Sequence, residues 1–384
     1  MRLAVDAHAI GRHLTGNEVY VRSLLSAFAD LDGKSDFLAY VTGPLGEAGI
    51  PSRFATRQIA ANPFVRLGFD LPRRLRIDRP DLLHVQYTAP LFCPVPTVVT
   101  VHDVSFLERP EYFTASRAMQ LRITVARSVK QAARVLTVSE FARESIVRAY
   151  NLAPDKIVVT PDAASPSFRA INRAAAAQRV RERFRLNNPY VLTVGDLQPR
   201  KNHIGLIQAF AKLMKDQPQL THELVLAGKD TWFGGKVREA ARESGVGSRI
   251  RFTGFVSDDD LLQLYNACEC FAFPSFYEGF GIPVLEAMAC GRAVICSNSS
   301  AIPEVADGAA LLFNPEKNEE MVRALADVLK DSQLRTRMER LGLKRASYFS
   351  WRKTAEMTLK VYRQVAGETA PRESQTRVAA GSRR

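Results

Sequence analysis

Short apolar runs alternate with amphipathic stretches along most of the chain. Runs rich in β-branched and aromatic residues predict strands, and stretches with apolar residues three and four positions apart predict helices. The predicted strands are Leu3–Asp6, Leu82–Gln86, Thr97–His102, Arg134–Val138, Ile157–Thr160, Tyr190–Val194, Glu223–Ala227, Ile250–Phe252, Cys270–Phe273 and Ala293–Cys296. Strands that alternate with helices over this length are typical of α/β proteins with parallel sheets covered on both faces. The pattern occurs twice, so we expect two doubly wound domains.

Helices are predicted between these strands, and an interruption of the alternation marks the place where the two halves meet. They include Glu18–Ala29, Ala115–Ala132, Glu140–Tyr150, Ile204–Lys215, Asp259–Ala267 and Pro283–Ala289. Near residues 163–188 the alternation is interrupted by a charged, alanine-rich helix, Arg173–Arg185. We therefore place an N-terminal domain at residues 1–172 and a C-terminal domain at residues 173–348.

The end of the chain differs from both halves. Trp351–Val365 predicts a final helix, which we place at residues 349–366. Residues 367–384 are rich in Gly, Ser, Thr and Arg without an apolar period, which predicts a disordered basic tail.

Composition excludes several classes of protein. The chain has 384 residues, of which 46% are hydrophobic and 24% charged, so it is not a mostly disordered protein. It contains no apolar run of the length that a membrane-spanning helix needs, and Asp6 and His8 argue against a signal peptide. Its five cysteines have no paired Cys-x-x-Cys spacing, which favours reduced thiols in a cytoplasmic protein and no structural zinc.

The net charge of +13 lies mostly in the first half, where nearly all of the excess is arginine. Nucleic acid, anionic lipid and a phosphorylated ligand are the partners that such a charge favours. No nucleic-acid motif or aromatic stacking pattern accompanies the charge, so nucleic acid is not an expected partner.

Residues Asn62–Ile77 mix large apolar residues with four arginines. A basic amphipathic stretch of this kind can lie on an anionic membrane surface, which predicts a peripheral membrane contact. Gly68 and Pro72 argue against one unbroken helix. The alternative is a surface segment that packs its apolar side chains on its own domain.

The densest chemistry follows the strand Cys270–Phe273. From Pro274 the chain reads Pro-Ser-Phe-Tyr-Glu-Gly-Phe-Gly-Ile-Pro, a glycine-bearing turn that leads into a helix whose first turn holds a proline. The free amides at a helix N-terminus favour an anionic or hydroxyl-rich ligand. Glu278 in the turn and Glu286 inside the helix can face the carboxyl edge of the sheet, and each can accept hydrogen bonds from two sugar hydroxyls. A solvated loop glutamate and a helix-surface glutamate are the alternative.

Glu278 and Glu286 form a Glu-x7-Glu motif, and the stretch Glu-Gly-Phe-Gly-Ile-Pro-Val-Leu-Glu-Ala-Met-Ala-Cys-Gly resembles glycosyltransferase family 4. Val194–Asn202, Leu224–Gly228 and Asn298–Val305 resemble other segments of that family, and the resemblance covers roughly residues 1–365. It implies the GT-B fold: two facing Rossmann-like domains with a deep interdomain cleft. The nucleotide sugar is then expected on the C-terminal domain and the acceptor on the N-terminal domain, with the final helix packed back on the latter.

The resemblance also implies an activity. Members move a hexosyl group, such as mannosyl or glucosyl, from a GDP- or UDP-linked sugar to a glycan or lipid-linked acceptor, with retention at the anomeric carbon. We expect this in bacterial polysaccharide or glycoconjugate synthesis, in the cytoplasm or at the inner face of the membrane. The donor is a substrate, and neither a cofactor nor a metal is expected. A sugar-nucleotide epimerase of the same fold and a non-catalytic nucleotide-sugar scaffold are the alternatives.

The family implies roles for the residues that match its motifs. The matching Arg–Lys pair neutralises the departing diphosphate, which assigns that role to Arg200 and Lys201, where solvated surface cations are the alternative. The first glutamate of the motif, Glu278, lies near the transferred sugar, and the second, Glu286, holds the ribose hydroxyls. We regard Glu278, Arg200, Lys201 and His102 as the catalytic candidates.

Glycines and backbone amides complete the expected donor site. The amides of Gly279, Phe280 and Gly281 would meet sugar hydroxyls or phosphate. Gly195 follows a predicted strand of the C-terminal domain, and Gly16 would let its loop close over the donor phosphates.

Three residues that follow predicted strands of the N-terminal domain are acceptor-side candidates. His102 matches a family histidine that contacts the transferred sugar, and Asp103 follows it; the alternative is a packed histidine held by Asp103. Ser139 either contacts the acceptor or, as we favour, caps the helix Glu140–Tyr150.

Two positions depart from the family pattern, and one acidic run is set aside. Asp196 stands where many members have an arginine, and Asp162 follows Pro161 where the family has Asn-Gly-Val. The run Asp258–Asp260 after Ser257 predicts a negatively charged helix start and not a metal site.

Overall fold

The computed structural model describes residues 1–11, 15–43 and 49–369 of the chain. These residues form two compact units. The first comprises Met1–Thr100, Gln131–Val135 and Ala355–Arg384, and the second comprises Val101–Lys130 and Leu136–Thr354. The tail predicted for residues 367–384 lies, from residue 370 onward, outside the described residues.

A seven-stranded sheet has the strand order β3-β2-β1-β4-β5-β6-β7. Its strands are β1 (Arg2–Asp6), β2 (Asp36–Val41), β3 (Ala55–Gln58), β4 (Leu82–Gln86), β5 (Thr97–Thr100), β6 (Arg134–Thr137) and β7 (Ile157–Val159). β1 lies parallel to β2 and β4, with Leu3 opposite Phe37 and Leu82. These residues are buried, as the apolar runs of a parallel sheet require.

A six-stranded sheet lies within the second unit and has the order β10-β9-β8-β11-β12-β13. Its strands are β8 (Tyr190–Val194), β9 (Glu223–Ala227), β10 (Ile250–Gly254), β11 (Cys270–Phe273), β12 (Val294–Ser297) and β13 (Leu311–Phe313). Its neighbouring strands run parallel. The α/β class with two parallel sheets, predicted from the alternation of strands and helices, is confirmed.

Helices connect the strands. They are α1 (Thr15–Leu31), α2 (Pro63–Val65), α3 (Leu71–Asp78), α4 (Ser105–Glu108), α5 (Ala115–Gln131), α6 (Glu140–Tyr150), α7 (Arg173–Phe184), α8 (His203–Asp216), α9 (Gly234–Glu243), α10 (Asp258–Ala267), α11 (Ile282–Ala289), α12 (Ile302–Ala306), α13 (Asn318–Lys330), α14 (Ser332–Ala346) and α15 (Trp351–Thr369). Around the six-stranded sheet, α7, α10 and α11 contribute to the core on one face, and α8, α9 and α13 to the core on the other. Within the described residues no helix is both long and apolar enough to cross a bilayer.

The stretch Asn62–Ile77 is helical without being one regular helix. A π-helical turn, Arg66–Asp70, joins α2 to α3, and it contains Gly68. Pro72 lies in the first turn of α3, where a missing N–H is tolerated. The irregularity predicted from Gly68 and Pro72 is therefore a π turn and not a gap between two helices.

A buried polar network ties α15 to the sheet of the first unit. The hydroxyl of Tyr362 lies 2.5 Å from Nδ1 of His84 in β4, and Nε2 of His84 lies 2.6 Å from the hydroxyl of Thr100. The hydroxyl of Tyr20 in α1 lies 3.0 Å from the same Thr100 oxygen. Because the buried polar atoms of Tyr362, His84 and Thr100 are paired only when α15 lies in this position, α15 has one preferred register against β4.

The β8 and β9 ends approach so closely that Gly228 has no room for a side chain. A Cβ on Gly228 would lie 2.0 Å from the carbonyl oxygen of Gly195. We expect Gly228→Ala to lower the free energy of unfolding by about 1–3 kcal/mol, the cost of overpacking, as measured by urea unfolding. Gly235→Ala is the matched control, since a Cβ there meets nothing within 4 Å. Equal unfolding midpoints for the two variants would contradict the close approach.

Candidate functional site

The turn that carries Glu278 is held by a row of serines at the end of β12 and directly after it. The hydroxyl of Ser297 donates to the carbonyl of Ser275 at 2.7 Å, and that of Ser299 donates to the carbonyl of Phe276 at 3.0 Å. The backbone N–H of Glu278 donates to the hydroxyl of Ser300 at 2.8 Å. Sequence reasoning missed these supports. Their signal was the polar run Ser-Asn-Ser-Ser directly after an apolar strand.

Arg200 and Lys201 both form ion pairs with the carboxylate of Glu278. Nζ of Lys201 lies 2.6 Å from one oxygen, and a guanidinium nitrogen of Arg200 lies 2.7 Å from the other. Glu278 and Lys201 are buried, with 7% and 9% of their surface exposed. The Lys201 ammonium also lies 4.8 Å from the ring centroid of Phe273 at the end of β11. The structure therefore brings together three of the four predicted catalytic residues.

The electrostatics of this cluster favour an anionic ligand. Burial alone would raise the pKa of Glu278, but the charges of Arg200 and Lys201 and their hydrogen bonds hold its pKa at about 2. Burial lowers the pKa of Lys201, and Glu278 offsets part of that effect. Two cations contact the one carboxylate of Glu278, and the charge of Asp196 also raises the pKa of Lys201.

Gly195, predicted to bind the donor, makes room for the Lys201 side chain. A Cβ on Gly195 would lie 3.1 Å from Cε of Lys201. The next residue, Asp196, accepts a hydrogen bond from the backbone N–H of Lys229 at 3.1 Å. Asp196 therefore joins the loop after β8 to the loop after β9.

Glu286 is buried in α11 beside a partner that the sequence did not reveal. Its carboxylate accepts a hydrogen bond from the hydroxyl of Tyr265 in α10 at 2.9 Å. Burial raises the pKa of Glu286 to about 7; the Tyr265 hydrogen bond lowers it, and the charge of Asp258 raises it. Unlike Glu278, this carboxyl group has no cation beside it among the residues that the structure describes, and it therefore titrates near neutral pH.

The turn before α11 packs tightly against the chain after β5. A Cβ on Gly279 would lie 2.2 Å from the carbonyl oxygen of His102 and 3.0 Å from Cβ of Asp103. Gly281 has φ +111° and stands at the N-cap of α11. Phe280 turns its ring inward, with its centroid 5.6 Å from that of Phe349. The predicted donor-side Gly279 thus lies against the predicted acceptor-side His102 and Asp103.

His102 and Asp103 have different environments within this contact. Burial lowers the pKa of His102 to about 4, so its imidazole is neutral at neutral pH. The Asp103 carboxylate accepts hydrogen bonds from the N–H and the hydroxyl of Ser105, at 2.9 and 2.6 Å. These hydrogen bonds from Ser105 hold the Asp103 carboxylate at the start of α4.

Ser139 joins the same place from β6, and its predicted capping role is confirmed. Its hydroxyl oxygen accepts from the N–H of Ala142 at 3.0 Å, in the first turn of α6, and donates to the carbonyl of Gly279 at 2.7 Å. The Glu304 carboxylate accepts from the N–H groups of Glu140 and Phe141 at 3.0 and 3.2 Å. A serine and a glutamate therefore satisfy the free amides of α6 together.

We expect Ser139→Ala to cost about 0.5–2 kcal/mol of stability through the lost cap. The variant also loses the hydrogen bond to Gly279 beside Glu278, so turnover should fall as well. Chemical unfolding and steady-state kinetics measure the two effects. Ser332→Ala is the control, because Ser332 opens α14 where Asp331 is the cap. A Ser139→Ala variant with the stability of the parent would contradict the assignment of the cap.

Asp162, which departs from the family pattern, is buried without a charged partner. It is 4% exposed, and one of its carboxylate oxygens has no hydrogen-bond partner among the described residues. Burial raises its pKa to about 8, so the group is mostly a neutral acid at neutral pH. A neutral carboxyl group has nearly the shape of the asparagine amide that the family pattern predicts here.

Gly16 is the one candidate that belongs to the first unit. It lies exposed in the first turn of α1. The loop before it, residues 12–14, is outside the described residues, so its predicted closure over the phosphates stays a prediction.

Residues 175–345 match the family model "Glycosyl transferases group 1", and residues 14–168 match "Glycosyltransferase Family 4". O-antigen chain mannosyltransferase B of Escherichia coli is 35% identical over 268 residues, covering 69% of this chain and 70% of that protein. Serotype-specific mannosyltransferase WbdA of Escherichia coli is 30% identical over 69% of this chain, but the match spans only 33% of that protein.

One solved structure extends the likeness over nearly the whole chain. Sucrose-phosphate synthase from Thermosynechococcus elongatus superposes with a TM-score of 0.79, covering 96% of this chain and 100% of that one. The sequence identity is 21%, so this likeness concerns the fold alone.

Proposed function

The chain belongs to glycosyltransferase family 4, and from that premise we propose that it is a retaining mannosyltransferase acting from a nucleotide sugar onto a glycan or lipid-linked acceptor. The buried cluster of Arg200, Lys201 and Glu278 carries the proposal. A nucleotide sugar leaves behind a diphosphate, and this cluster holds two cations where that charge must be received. The mannosyl group is inferred from the two mannosyltransferase relatives.

When the donor binds, its diphosphate replaces the Glu278 carboxylate as the partner of the two cations. In the described residues the two cations neutralise Glu278, so its carboxylate occupies the position in which the diphosphate would bind. With the diphosphate on Arg200 and Lys201, the Glu278 oxygens become free to accept hydrogen bonds from hydroxyls of the transferred sugar. Glu286 accepts from the ribose hydroxyls in the same way, once it is ionised.

The chemical step is a same-face substitution at the anomeric carbon. The bond from that carbon to the diphosphate oxygen breaks while the acceptor oxygen forms its bond on the same face. The acceptor proton passes to the departing diphosphate. Arg200 and Lys201 stabilise the negative charge that grows on the diphosphate in an oxocarbenium-like transition state.

Two side-chain cations provide the positive charge that a divalent metal provides in other transferases, and we therefore infer a metal-independent reaction. We assign the nucleotide sugar to residues 173–348 and the acceptor to residues 1–172. All five cysteines are free thiols, which fits the reducing cytoplasm. The mannosyltransferase relatives point to bacterial polysaccharide assembly as the setting.

A panel of GDP- and UDP-linked sugars tests the proposal. Ligands that bind only the folded state raise the melting temperature, and we expect the largest shift with a mannosyl donor. NMR of that donor with an oligomannoside acceptor, in the presence of a metal chelator, should show a new linkage with the anomeric configuration of the donor. An inverted product, or activity lost with the chelator and restored by a divalent cation, would contradict the mechanism.

The same assay separates the two alternatives. An epimerase releases free nucleotide and a rearranged sugar when no acceptor is present. A non-catalytic scaffold shows the thermal shift and no turnover. Either result, in protein shown to be folded, would replace the proposal.

A further inference from the structure

A helical segment and a neighbouring loop of the first unit expose large apolar side chains side by side. We call this the Phe64–Phe92 surface; it comprises Phe64 (78% exposed), Val65 (50%), Phe69 (70%), Leu91 (54%) and Phe92 (71%). Single exposed apolar residues are common on proteins, but five in one place are typical of an interaction site.

The helical segment and the loop that carry these five residues are in contact. The backbone N–H of Leu91 donates to the carbonyl of Leu67 at 3.0 Å, which fixes the loop against the π turn. Gly68 lies beside the loop, since a Cβ there would make a van der Waals contact with a methyl group of Leu91 at 4.0 Å. Phe69 follows Gly68 and Phe92 follows Leu91, so the helix and the loop each carry an exposed phenylalanine next in sequence to this contact.

Unpaired arginines continue this patch along the helix. Arg73 and Arg76 lie four and seven residues after Phe69, on the same side of the helix, and both are exposed. Neither forms an ion pair among the described residues. The nearby acids are engaged elsewhere: Asp70 pairs with Arg74, and Asp78 with Arg57. The patch therefore combines exposed aromatic rings with uncompensated positive charge.

We propose that the Phe64–Phe92 surface docks on an anionic lipid bilayer. Phe64, Phe69 and Phe92 would enter the boundary between headgroups and acyl chains, and Arg73 and Arg76 would meet lipid phosphates. A second copy of the chain fits this surface poorly, since self-association would bring the arginines of both copies together. The inference needs no donor or acceptor and stands apart from the proposed transfer reaction.

Vesicle sedimentation of the full chain tests the docking. We expect the protein to sediment with vesicles of phosphatidylcholine and phosphatidylglycerol, and much less with phosphatidylcholine alone. Phe64→Ser combined with Phe69→Ser should lower the partition coefficient by tenfold or more, in order of magnitude, on the anionic vesicles. Arg73→Gln combined with Arg76→Gln should lower it by about fivefold for each arginine, and added salt should erase that difference.

Phe255→Ser is the matched control. Phe255 is also an exposed phenylalanine beside a cation, with Nζ of Lys229 at 5.3 Å from its ring centroid, but it belongs to the second unit. We expect it to bind vesicles like the parent. Parent protein that binds neither vesicle, or equal losses in Phe255→Ser and the Phe64/Phe69 variant, would overturn the proposal. Sedimentation velocity showing a dimer that Phe69→Ser abolishes would do so as well, in favour of a second copy.

Discussion

Lys201→Met is expected to lower kcat by ~100- to 1000-fold, the scale observed when one preorganised donor to a developing anion is removed. Methionine keeps the apolar stem that packs beside Gly195 and Phe273 and removes only the charge. Arg200 still neutralises Glu278, so the buried carboxylate keeps a partner and the fold is retained. Because the lost interaction grows as the diphosphate departs, KM for the donor should change far less than kcat.

Lys212→Met is the control for this substitution. Lys212 lies in α8, is half exposed and pairs only with Asp216 at 3.1 Å, four residues away. It should leave kcat within about twofold of the parent, since exposed pairs of this kind contribute little. A Lys201→Met variant with parental kcat would remove the cation from the mechanism. A fall in donor binding of the same size as the fall in kcat would instead show that Lys201 acts on the ground state.

Most strands that the sequence predicted have a buried apolar run of their own, although β2 has such a run and was not predicted. Tyr190–Val194, Glu223–Ala227 and Cys270–Phe273 have the predicted bounds, because their side chains are buried on both faces of a parallel sheet. β2, β13 and β3 were not predicted, and β3 is the one without an apolar run. It reads Ala-Thr-Arg-Gln, lies at the edge of its sheet and owes its conformation to pairing with β2. A local pattern cannot reveal a strand that a partner alone stabilises.

The same limit applies to the candidate site. The motif placed Glu278, Arg200 and Lys201 in one mechanism, and the geometry brings them into contact. Tyr265 was not predicted, because a tyrosine in an amphipathic helix has the pattern of an ordinary core residue. Its hydrogen bond to Glu286 depends on how α10 and α11 pack, which one sequence does not specify.

Three buried carboxyl groups of the second unit differ because of their partners. Burial raises the pKa of each, but two cations hold Glu278 ionised, whereas Glu286 has only a hydroxyl partner and Asp162 an unpartnered oxygen. Glu278 is therefore charged at any pH where the protein is studied, while Glu286 changes its charge near neutral pH. The affinity for the donor should therefore depend on pH through the ionisation of Glu286.

We expect the affinity for the nucleotide sugar to increase as the pH rises from about 6 to about 8, since the pKa of Glu286 is about 7 and only the ionised group accepts from both ribose hydroxyls. A sugar diphosphate ester does not titrate in this range, so the ligand adds no slope of its own. Glu286→Gln should weaken binding about 10- to 100-fold at the upper pH, the value of hydrogen bonds to a charged group, and should flatten the profile. Calorimetric titration at several pH values measures both effects.

Stability without ligand should change in the opposite direction. The folded pKa of Glu286 lies above the unfolded value of about 4.5, so its contribution to stability is complete below that value and is lost as the pH rises through about 7. Glu286→Gln, which mimics the neutral acid, should therefore gain stability relative to the parent at about pH 8 compared with about pH 6.

Asp258→Asn is a matched control for the binding measurement, because it leaves the carboxyl group of Glu286 in place. It should move the midpoint of the binding profile to lower pH, because the Asp258 charge raises the pKa of Glu286. A parental binding profile that is flat with pH, or one that Glu286→Gln leaves sloped, would assign the ribose contact to another residue.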